Sequence, residues 1–455
     1  MIMGLAAVVF TGCKSLYGKY ERPDVNTAGI LRDAASGVDT LAAADTASFG
    51  NLPWRSVFTD PILQGHIQTA LDNNFDLCNA ALNVEMAMAQ LKAAKLSFLP
   101  SFSFTPSGTI ASWDGRGATK TYSLPVNASW NIDLWGNLLS QKRAAQVVLL
   151  QSQDYQRAVK TNIIAGVANL YYTLLMLDRQ MEILNNMEKL TKDTWDIMLA
   201  QKEYGRVRST GVQSAEANHY AVLARKTDMT RQIREAENAL SLLMGQPAHF
   251  IARGKLADQS LPSAFATGVG VQLLNNRPDV HAAEMALAQC FYNVETARAR
   301  FYPALNINAA GIFTNSGGGA VVNPGAWLLN AVAQLVQPIF QNGKLVAGLK
   351  VAEAQYKQAY NTWQGIILSA GSEVSNALVQ YNTSAEKSRI EARQAKVLQQ
   401  NVIDTKELMA SAGSSYLEVI TAQSSLLNVE LSQVVDDFTK MQAVVNLYNA
   451  LGGGR

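Results

Sequence analysis

Tyr122-Ser123-Leu124-Pro125-Val126-Asn127-Ala128-Ser129-Trp130-Asn131-Ile132-Asp133-Leu134 is the stretch whose reading decides the fold. Tyr122, Leu124, Val126, Ala128, Trp130, Ile132 and Leu134 are apolar, and Ser123, Asn127, Ser129, Asn131 and Asp133 between them are polar. Successive side chains of a strand point to opposite faces, so this alternation predicts a strand with one apolar and one polar face. Ser101–Trp113 repeats the pattern, with Phe102, Phe104 and Ile110 set against Ser101, Ser103, Thr105, Ser107 and Thr109. Farther along, Leu305, Ile307, Ala309 and Phe313 alternate with Asn306 and Asn308, and Ala326–Phe340 offers a more uniformly apolar partner. Gly-rich breaks at Asp114–Lys120 and Asn315–Gly325 predict two hairpins with loose loops, over 100–135 and 303–340.

Strands of about 13 residues exceed the usual five or six. Tilted by about 40°, they cover the ~25 Å apolar band of an outer-membrane barrel. Trp113, Trp130, Trp135 and Trp327 fall in or at the ends of these strands, where amphipathic rings suit the membrane boundary. Leu124, Val126 and Ile132 then face lipid. A soluble two-sheet sandwich, its apolar faces turned on each other, also fits the alternation. Four strands are too few to close a barrel, which needs about eight, and open edges are not tolerated in lipid. A barrel therefore requires several copies of the chain.

The strands belong to a larger repeat. Leu71–Gly108 aligns without a gap onto Leu274–Gly311, sharing Leu71/Leu274, Asn73/Asn276, Asp76/Asp279, Ala80/Ala283, Ala94/Ala297, Phe98/Phe301, Pro100/Pro303 and Gly108/Gly311. After each strand pair comes a long stretch without proline, since none occurs in 126–246 or 339–455. Roughly 137–204 and 344–411 read as single helices, each about 100 Å long. Shorter helices follow near 210–244 and 416–450, so each half ends in a long helical hairpin. Small residues appear on several faces (Ala165, Gly166, Ala168; Ala352, Ala354, Ala359; Ala370, Gly371). Two narrow seams rather than one wide stripe suit a helix with a neighbour on each side, as in a helical tube. An exposed rod is the plainer alternative, and the long alternating strands argue against it.

The start of the chain carries an address. Leu5-Ala6-Ala7-Val8-Val9-Phe10-Thr11-Gly12-Cys13 is a short apolar run ending in small residues and a cysteine, as at the end of a bacterial lipoprotein signal. No Lys or Arg precedes it, a departure from that pattern. The organisation expected is a signal end over 1–13 with Cys13 lipidated, and an extended periplasmic segment over 14–60. A first repeat over 61–246 (helix, hairpin, long helical hairpin), a linker over 247–270 and a second repeat of the same make over 271–455 complete it.

Composition excludes several classes. With 38 basic and 36 acidic residues and no basic run, there is no nucleic-acid footprint. Mean hydropathy is zero, and no apolar span is long enough for a transmembrane helix. Three cysteines, Cys13, Cys78 and Cys290, suggest neither a disulfide framework nor a zinc site. No nucleophile elbow, Walker loop or dinucleotide fingerprint occurs. Ser384-Ala385-Glu386-Lys387 matches Ser-x-x-Lys without its companion motifs and reads as coincidence. His66, His219, His249 and His281 are scattered, and Met86 and Met88 read as packing residues rather than soft-metal ligands. No enzyme, metal or cofactor is implied.

Cys13 with its apolar run, Tyr20-Glu21-Arg22-Pro23, Asn276-Arg277-Pro278-Asp279, Phe301-Tyr302-Pro303, Gln337-Pro338-Ile339-Phe340-Gln341-Asn342-Gly343 and Leu447-Tyr448-Asn449-Ala450-Leu451-Gly452-Gly453-Gly454 stand in one order. Together they resemble the TolC-type outer-membrane factors, in the lipoprotein branch that serves RND multidrug efflux pumps, over essentially the whole chain. The resemblance implies a mixed α/β membrane protein. Three copies supply four strands each to one transmembrane β-barrel, which continues into a long periplasmic α-helical barrel. It implies a homotrimer in the bacterial outer membrane, surrounded by outer-membrane lipid, with a periplasmic adaptor and an inner-membrane RND pump as partners. The function implied is a passive exit duct for drugs or other small molecules. A conduit for secreted polypeptides uses the same architecture, and a structural coiled-coil lipoprotein is a third reading. The family pattern also implies a constriction at the periplasmic end, near Gly205–Gly211 and Ala412–Ser415, with Gly205, Ser209, Gly211, Gly413 and Ser414 at adaptor-contacting hairpin tips. A leucine ring is expected at Leu417. The acidic ring expected one turn later falls on Thr421, which has no charge; either Glu418, about 100° around the helix, serves instead, or Leu417 alone closes the entrance by dewetting.

Overall fold

The computed structural model describes residues 18–24, 49–262, 277–314, 327–410 and 416–454. Cys13, Gly413, Ser414 and the loop 315–325 lie outside these residues, and only the backbone of Trp113 and Trp327 is described. The chain divides into two compact units, each drawing on both halves of the sequence. One holds the described residues of Met1–Asn26, Ala81–Asp154 and His281–Ile366; the other holds those of Thr27–Ala80, Tyr155–Val280 and Ile367–Arg455.

The first unit is built on an antiparallel sheet of β1 (Ser101–Phe104), β2 (Ser107–Trp113), β3 (Arg116–Ile132), β4 (Ala304–Thr314) and β5 (Trp327–Val336). β1 and β2 both pair with β3, β3 pairs with β4, and β4 with β5. β1 and β2 are one expected strand, interrupted where Pro106 has no N–H to give to the ladder; Thr105 N still reaches Pro125 O at 3.3 Å. The loose loop expected over Asp114–Lys120 is instead a two-residue turn. Asp114 (φ 50°) and Gly115 (φ 70°) are both left-handed, the requirement of a type I′ hairpin that Asp-Gly meets. β3 consequently runs 17 residues.

Register converts the alternation of each strand into two continuous faces. Ile132 lies opposite Leu305, Trp130 opposite Ile307, Val126 opposite Gly311 and Leu124 opposite Phe313. Leu305 in turn faces Leu335, and Gly311 faces Leu329, while Phe102 and Phe104 join the same side opposite Ala128 and Val126. Directly opposed residues share a face. The other face is largely polar: Ser129 Oγ donates to Asn308 Oδ1 at 2.9 Å and Asn127 Nδ2 to Thr105 Oγ1 at 3.1 Å.

Eight helices are described: α1 (Trp54–Val57), α2 (Pro61–Asn73), α3 (Phe75–Leu96), α4 (Asn137–Glu203), α5 (Ser209–Leu243), α6 (Pro278–Ala299), α7 (Lys344–Ala410) and α8 (Tyr416–Ala450). The single helix expected at the start of the first repeat is two, α2 and α3. Asn74 breaks it by accepting the amides of Asp76 (2.9 Å) and Leu77 (3.1 Å), the bonds of an N-cap. The 14–60 segment, expected to be extended, contains a 3₁₀ turn at Phe49–Asn51 as well as α1. α4 and α7 each run 67 residues, about 100 Å. Each starts after a left-handed glycine, Gly136 or Gly343. α4 stops where Gly205 (φ 70°) lets Gly205 N reach Lys202 O and Arg206 N reach Gln201 O, both at 2.9 Å.

In the first unit the N-terminal stretch 18–24 lies against the helices. Arg143 Nη1 donates to Gly18 O at 3.0 Å, Tyr292 Oη accepts from Tyr20 N at 3.3 Å, and Arg22 pairs with Glu284 at 3.1 Å over the Trp363 ring. The second unit has the apolar core, with Val57, Phe58, Leu63, Ile67, Tyr171, Tyr172, Leu240 and Tyr448 fully buried or nearly so. The terminal glycines are part of it. Tyr448 Oη accepts from Gly454 N and donates to Leu52 O, each at 2.8 Å. A Cβ on Gly453 would meet the Tyr448 ring at 2.4 Å. Arg277 is held beside this core by Asp279 (2.6 Å), Glu373 (2.8 Å) and Ala450 O (2.8 Å). Among the described residues no helix is long and apolar enough to cross a membrane.

Candidate functional site

Among the described residues, none lies upon the apolar face of the sheet. Phe102 is 72% exposed, and Phe104, Ile110, Leu124, Val126, Trp130, Phe313, Leu329 and Leu335 are exposed with it. In water such a continuous patch is costly, which marks it as a surface meant for an apolar neighbour. Trp130 sits in this face, its Nε1 donating to Phe98 O at 2.9 Å. Trp135 lies just past β3, stacked on Tyr302 at 5.1 Å and donating to Pro303 O at 2.8 Å. Both rings thus have an apolar body and a satisfied N–H near one end of the sheet.

At the other candidate site, in the second unit, α8 buries Val419, Ala422, Gln423, Leu426 and Leu427, with Ala422 and Leu426 packed against Val402 and Leu398 of α7 and Leu190 of α4. Tyr416 and Ile420 cover Met198, Val212 and Ala215 together with Trp195 and Val207. Gln423 Nε2 donates to Thr194 Oγ1 at 2.8 Å, a buried polar tie between α8 and α4. Leu417 (62% exposed) and Thr421, Ser424 and Asn428 form the opposite, exposed stripe, as their spacing of four, three and four requires. Leu417 therefore adds little to the packing of the described residues. Glu418 is exposed as well, on the flank of that stripe.

The hairpin-tip residues separate. Gly205 and Ser209 are exposed beside Tyr204, whose ring is 81% exposed. Gly211 is not at the tip surface: it is buried, and a Cβ there would meet Met198 at 3.0 Å and Tyr416 at 3.2 Å. Its smallness lets α8 approach α5, a packing role in place of the expected contact role.

Other sequence features resolve into structure. Ser384 is buried in α7, and Lys387 pairs with Asp436 (3.0 Å) and Glu391 (3.5 Å). His66 bonds Ala252 O, His219 bonds Thr191, His249 bonds Pro247 O and His281 pairs with Asp154, so the four lie apart. Among the described residues no group of His, Cys, Asp or Glu is arranged to hold a metal ion. Met86 and Met88, expected in packing, are 56% and 49% exposed. Burial along α3 explains Met86. Val84, Ala87 and Leu91 form its in-chain seam. Leu82, Met86, Ala89, Ala93 and Leu96 form a second, exposed stripe about 180° away. α7 does the same, with Trp363, Ile367, Ala370 and Val374 buried and Leu368, Val379, Ile390, Val397 and Leu408 exposed on the opposite side. Sequence reading anticipated two seams per helix in general terms. The residues of the outer seam were not separable from those of the inner, because both are apolar and only burial distinguishes them.

An amphipathic sheet with both edges open, joined to helices of 67 residues, is the architecture of outer-membrane channel subunits. The chain belongs to the outer membrane efflux protein family, whose model matches residues 66–246 and 269–453. It is 27% identical to the cation efflux system protein CusC of Escherichia coli (strain K12), over 98% of each chain. With the toluene efflux pump outer membrane protein TtgC of Pseudomonas putida it shares 28%, over 99% of this chain and 95% of that one. The probable outer membrane lipoprotein SilC of Salmonella typhimurium is 27% identical over 98% and 96%. A crystal structure of CusC has a TM-score of 0.85 at 25% identity, covering 96% of this chain and 99% of the other. The fold is also that of the CmeC outer membrane channel of Campylobacter jejuni, TM-score 0.84. The protein is thus an outer-membrane efflux channel component, a transport protein and not a member of an enzyme family.

Proposed function

We propose that three copies of the chain close one 12-stranded barrel and that their helices form a tube, giving the exit duct of a tripartite efflux system. The observation that carries this reading is the sheet: one exposed apolar face, one polar face and two edges without partners among the described residues. In lipid such edges must be paired, and a closed ring of identical copies pairs all of them with the polar face inward. The two halves of the chain act as structural repeats, 61–246 and 271–455, so that each copy supplies two similar staves. Cys13 supplies a lipid anchor in this reading, and Trp130 and Trp135 sit at the membrane boundary.

Transport through the duct is passive, and cargo is chosen by the proteins that feed it. Relatives of similar identity are named for cations and for toluene, which fits an outlet with little selectivity of its own. A periplasmic adaptor, contacting the exposed tips at Gly205 and Ser209, and an inner-membrane RND pump are the partners. Leu417 narrows the periplasmic entrance. It stands on the α8 stripe left exposed among the described residues, and three such side chains close a small aperture by excluding water. Thr421 adds hydroxyls one turn along, and Glu418 adds charge at the flank. Planar-bilayer recording tests both levels. The trimer should form a channel, Leu417→Ala should raise resting conductance, and Thr421→Asp should increase cation selectivity in a salt-sensitive way. Wild-type conductance in Leu417→Ala with a rise in Glu418→Ala would transfer the gate to the acidic residue.

A further inference from the structure

Ile339 and Phe340 are 95% and 81% exposed, and they follow directly on the open edge strand β5. The loop that carries them is firmly built. Gln337 Nε2 donates to Phe301 O at 3.0 Å, Lys344 N reaches Gln341 O at 2.9 Å, and Asn342 (φ 51°) and Gly343 (φ 76°) make the turn into α7. Pro338 and Gln341 border a cleft of about 350 Å³ with Trp135 and Tyr302. The two residues between them are left facing out.

We propose that Ile339 and Phe340 seat on Leu96 and Leu99 of a second copy of this chain, locking the ring where sheet gives way to helix; this rests on the shared-barrel reading above. Helix order in the first unit follows strand order. Lys142 of α4 lies over the Phe98 ring just past α3, His281 of α6 pairs with Asp154 of α4, and Arg298 of α6 reaches Glu353 of α7 at 3.7 Å. α3 therefore accompanies the β1 edge and α7 the β5 edge. Each strand runs antiparallel to the one before, so β1 of a following copy continues the alternation after β5. The ends also match in level. β5 finishes at Val336 opposite Ala304, and β1 begins at Ser101 opposite Ser129, three residues from the end of β3. Residues just beyond these ends, 338–340 on one edge and 96–99 on the other, meet when the edges pair. Leu96 and Leu99 are 52% and 61% exposed, a patch ready for such a contact.

The occupant is protein rather than lipid because the patch does not stop at the sheet. Leu96 heads the exposed α3 stripe that runs back through Ala93, Ala89 and Met86 to Leu82, about 21 Å along the helix and away from the strands. The partner helix for that stripe is α7, whose Val346 and Val351 are 51% and 55% exposed. Small residues at 89 and 93 allow close approach.

Chemical cross-linking of the full chain in membranes tests the contact. In a Cys78→Ser, Cys290→Ala background, with the Cys13 sulfur taken up by lipid, Leu99→Cys and Phe340→Cys are combined and treated with a short bismaleimide, with each single substitution as control. Covalent dimers and trimers should appear for the pair only, and Phe340→Cys with Thr119→Cys at the far end of the sheet should give none. A trimer that persists by native mass without cross-links, or with lipid-phase labelling of Phe340→Cys instead, overturns the seat and leaves the ring. Monomer alone would remove the ring as well.

Discussion

Val126→Arg is the most direct challenge to the facing of the sheet. Val126 is 52% exposed on the apolar face, opposite Gly311, so the described residues shield it little. It lies six residues before Ile132, the last residue of β3, or about 20 Å along the strand. With a tilt of about 40° that is ~15 Å above the strand end, close to the middle of a ~25 Å apolar band. Arginine at that depth costs about 2–4 kcal/mol per chain, and the proposed ring of three copies would bear it three times, about 6–12 kcal/mol. Asn127→Arg, one residue on, points to the polar face and should cost under about 1 kcal/mol. The assay is urea titration of folding into lipid vesicles, followed by heat-modifiable gel mobility. Val126→Arg should shift the folding midpoint strongly or abolish folding, and Asn127→Arg should stay near wild type. Equal shifts in the two variants would refute the facing and, with it, the membrane role of this side of the sheet.

Mass spectrometry of the purified protein should show a chain beginning at Cys13 with added acyl mass; an unmodified Cys13 behind an intact leader removes the lipoprotein claim and leaves the channel. Arg253 binds Asp178 (2.5 Å) and the buried Glu237 (2.7 Å), pinning its segment to α4 and α5. Arg253→Met should destabilise by about 3 kcal/mol, the low end for a stranded buried charge because Arg234 stays at 3.4 Å from Glu237. Adding Glu237→Leu should restore most of the denaturant midpoint, and no recovery would show that the loss is packing rather than charge. Burial, then the neighbouring Asp436 carboxyl, pushes the Glu391 carboxyl above its ordinary value. The folded chain thus holds more protons than the unfolded one, so this group's contribution is present below the unfolded value and is lost as pH rises through the folded one. Glu391→Gln should flatten the fall in Tm as pH rises above the ordinary glutamate value, and an unchanged slope would place the titration elsewhere.

The sequence by itself determined the pieces. Proline-free windows predicted helices over 137–204 and 344–411, and the helices are Asn137–Glu203 and Lys344–Ala410, because backbone hydrogen bonding along a helix is local and only a breaker stops it. Alternation over Tyr122–Leu134 assigned the two faces of β3 for the same reason: a period of two is a property of the strand alone. Tertiary structure decided what those pieces meet. Pairing of β3 with β4 joins the two halves edge to edge, a contact between residues nearly 200 positions apart that no local pattern encodes. Gly211 read as a turn residue because glycine serves both turns and close packing, and only Tyr416 and Met198 above it separate the two. The inner and outer seams of α3 and α7 are equally apolar in sequence. Which seam is covered depends on the helices that come to lie beside it, and in the proposed ring the uncovered one takes the neighbouring copy.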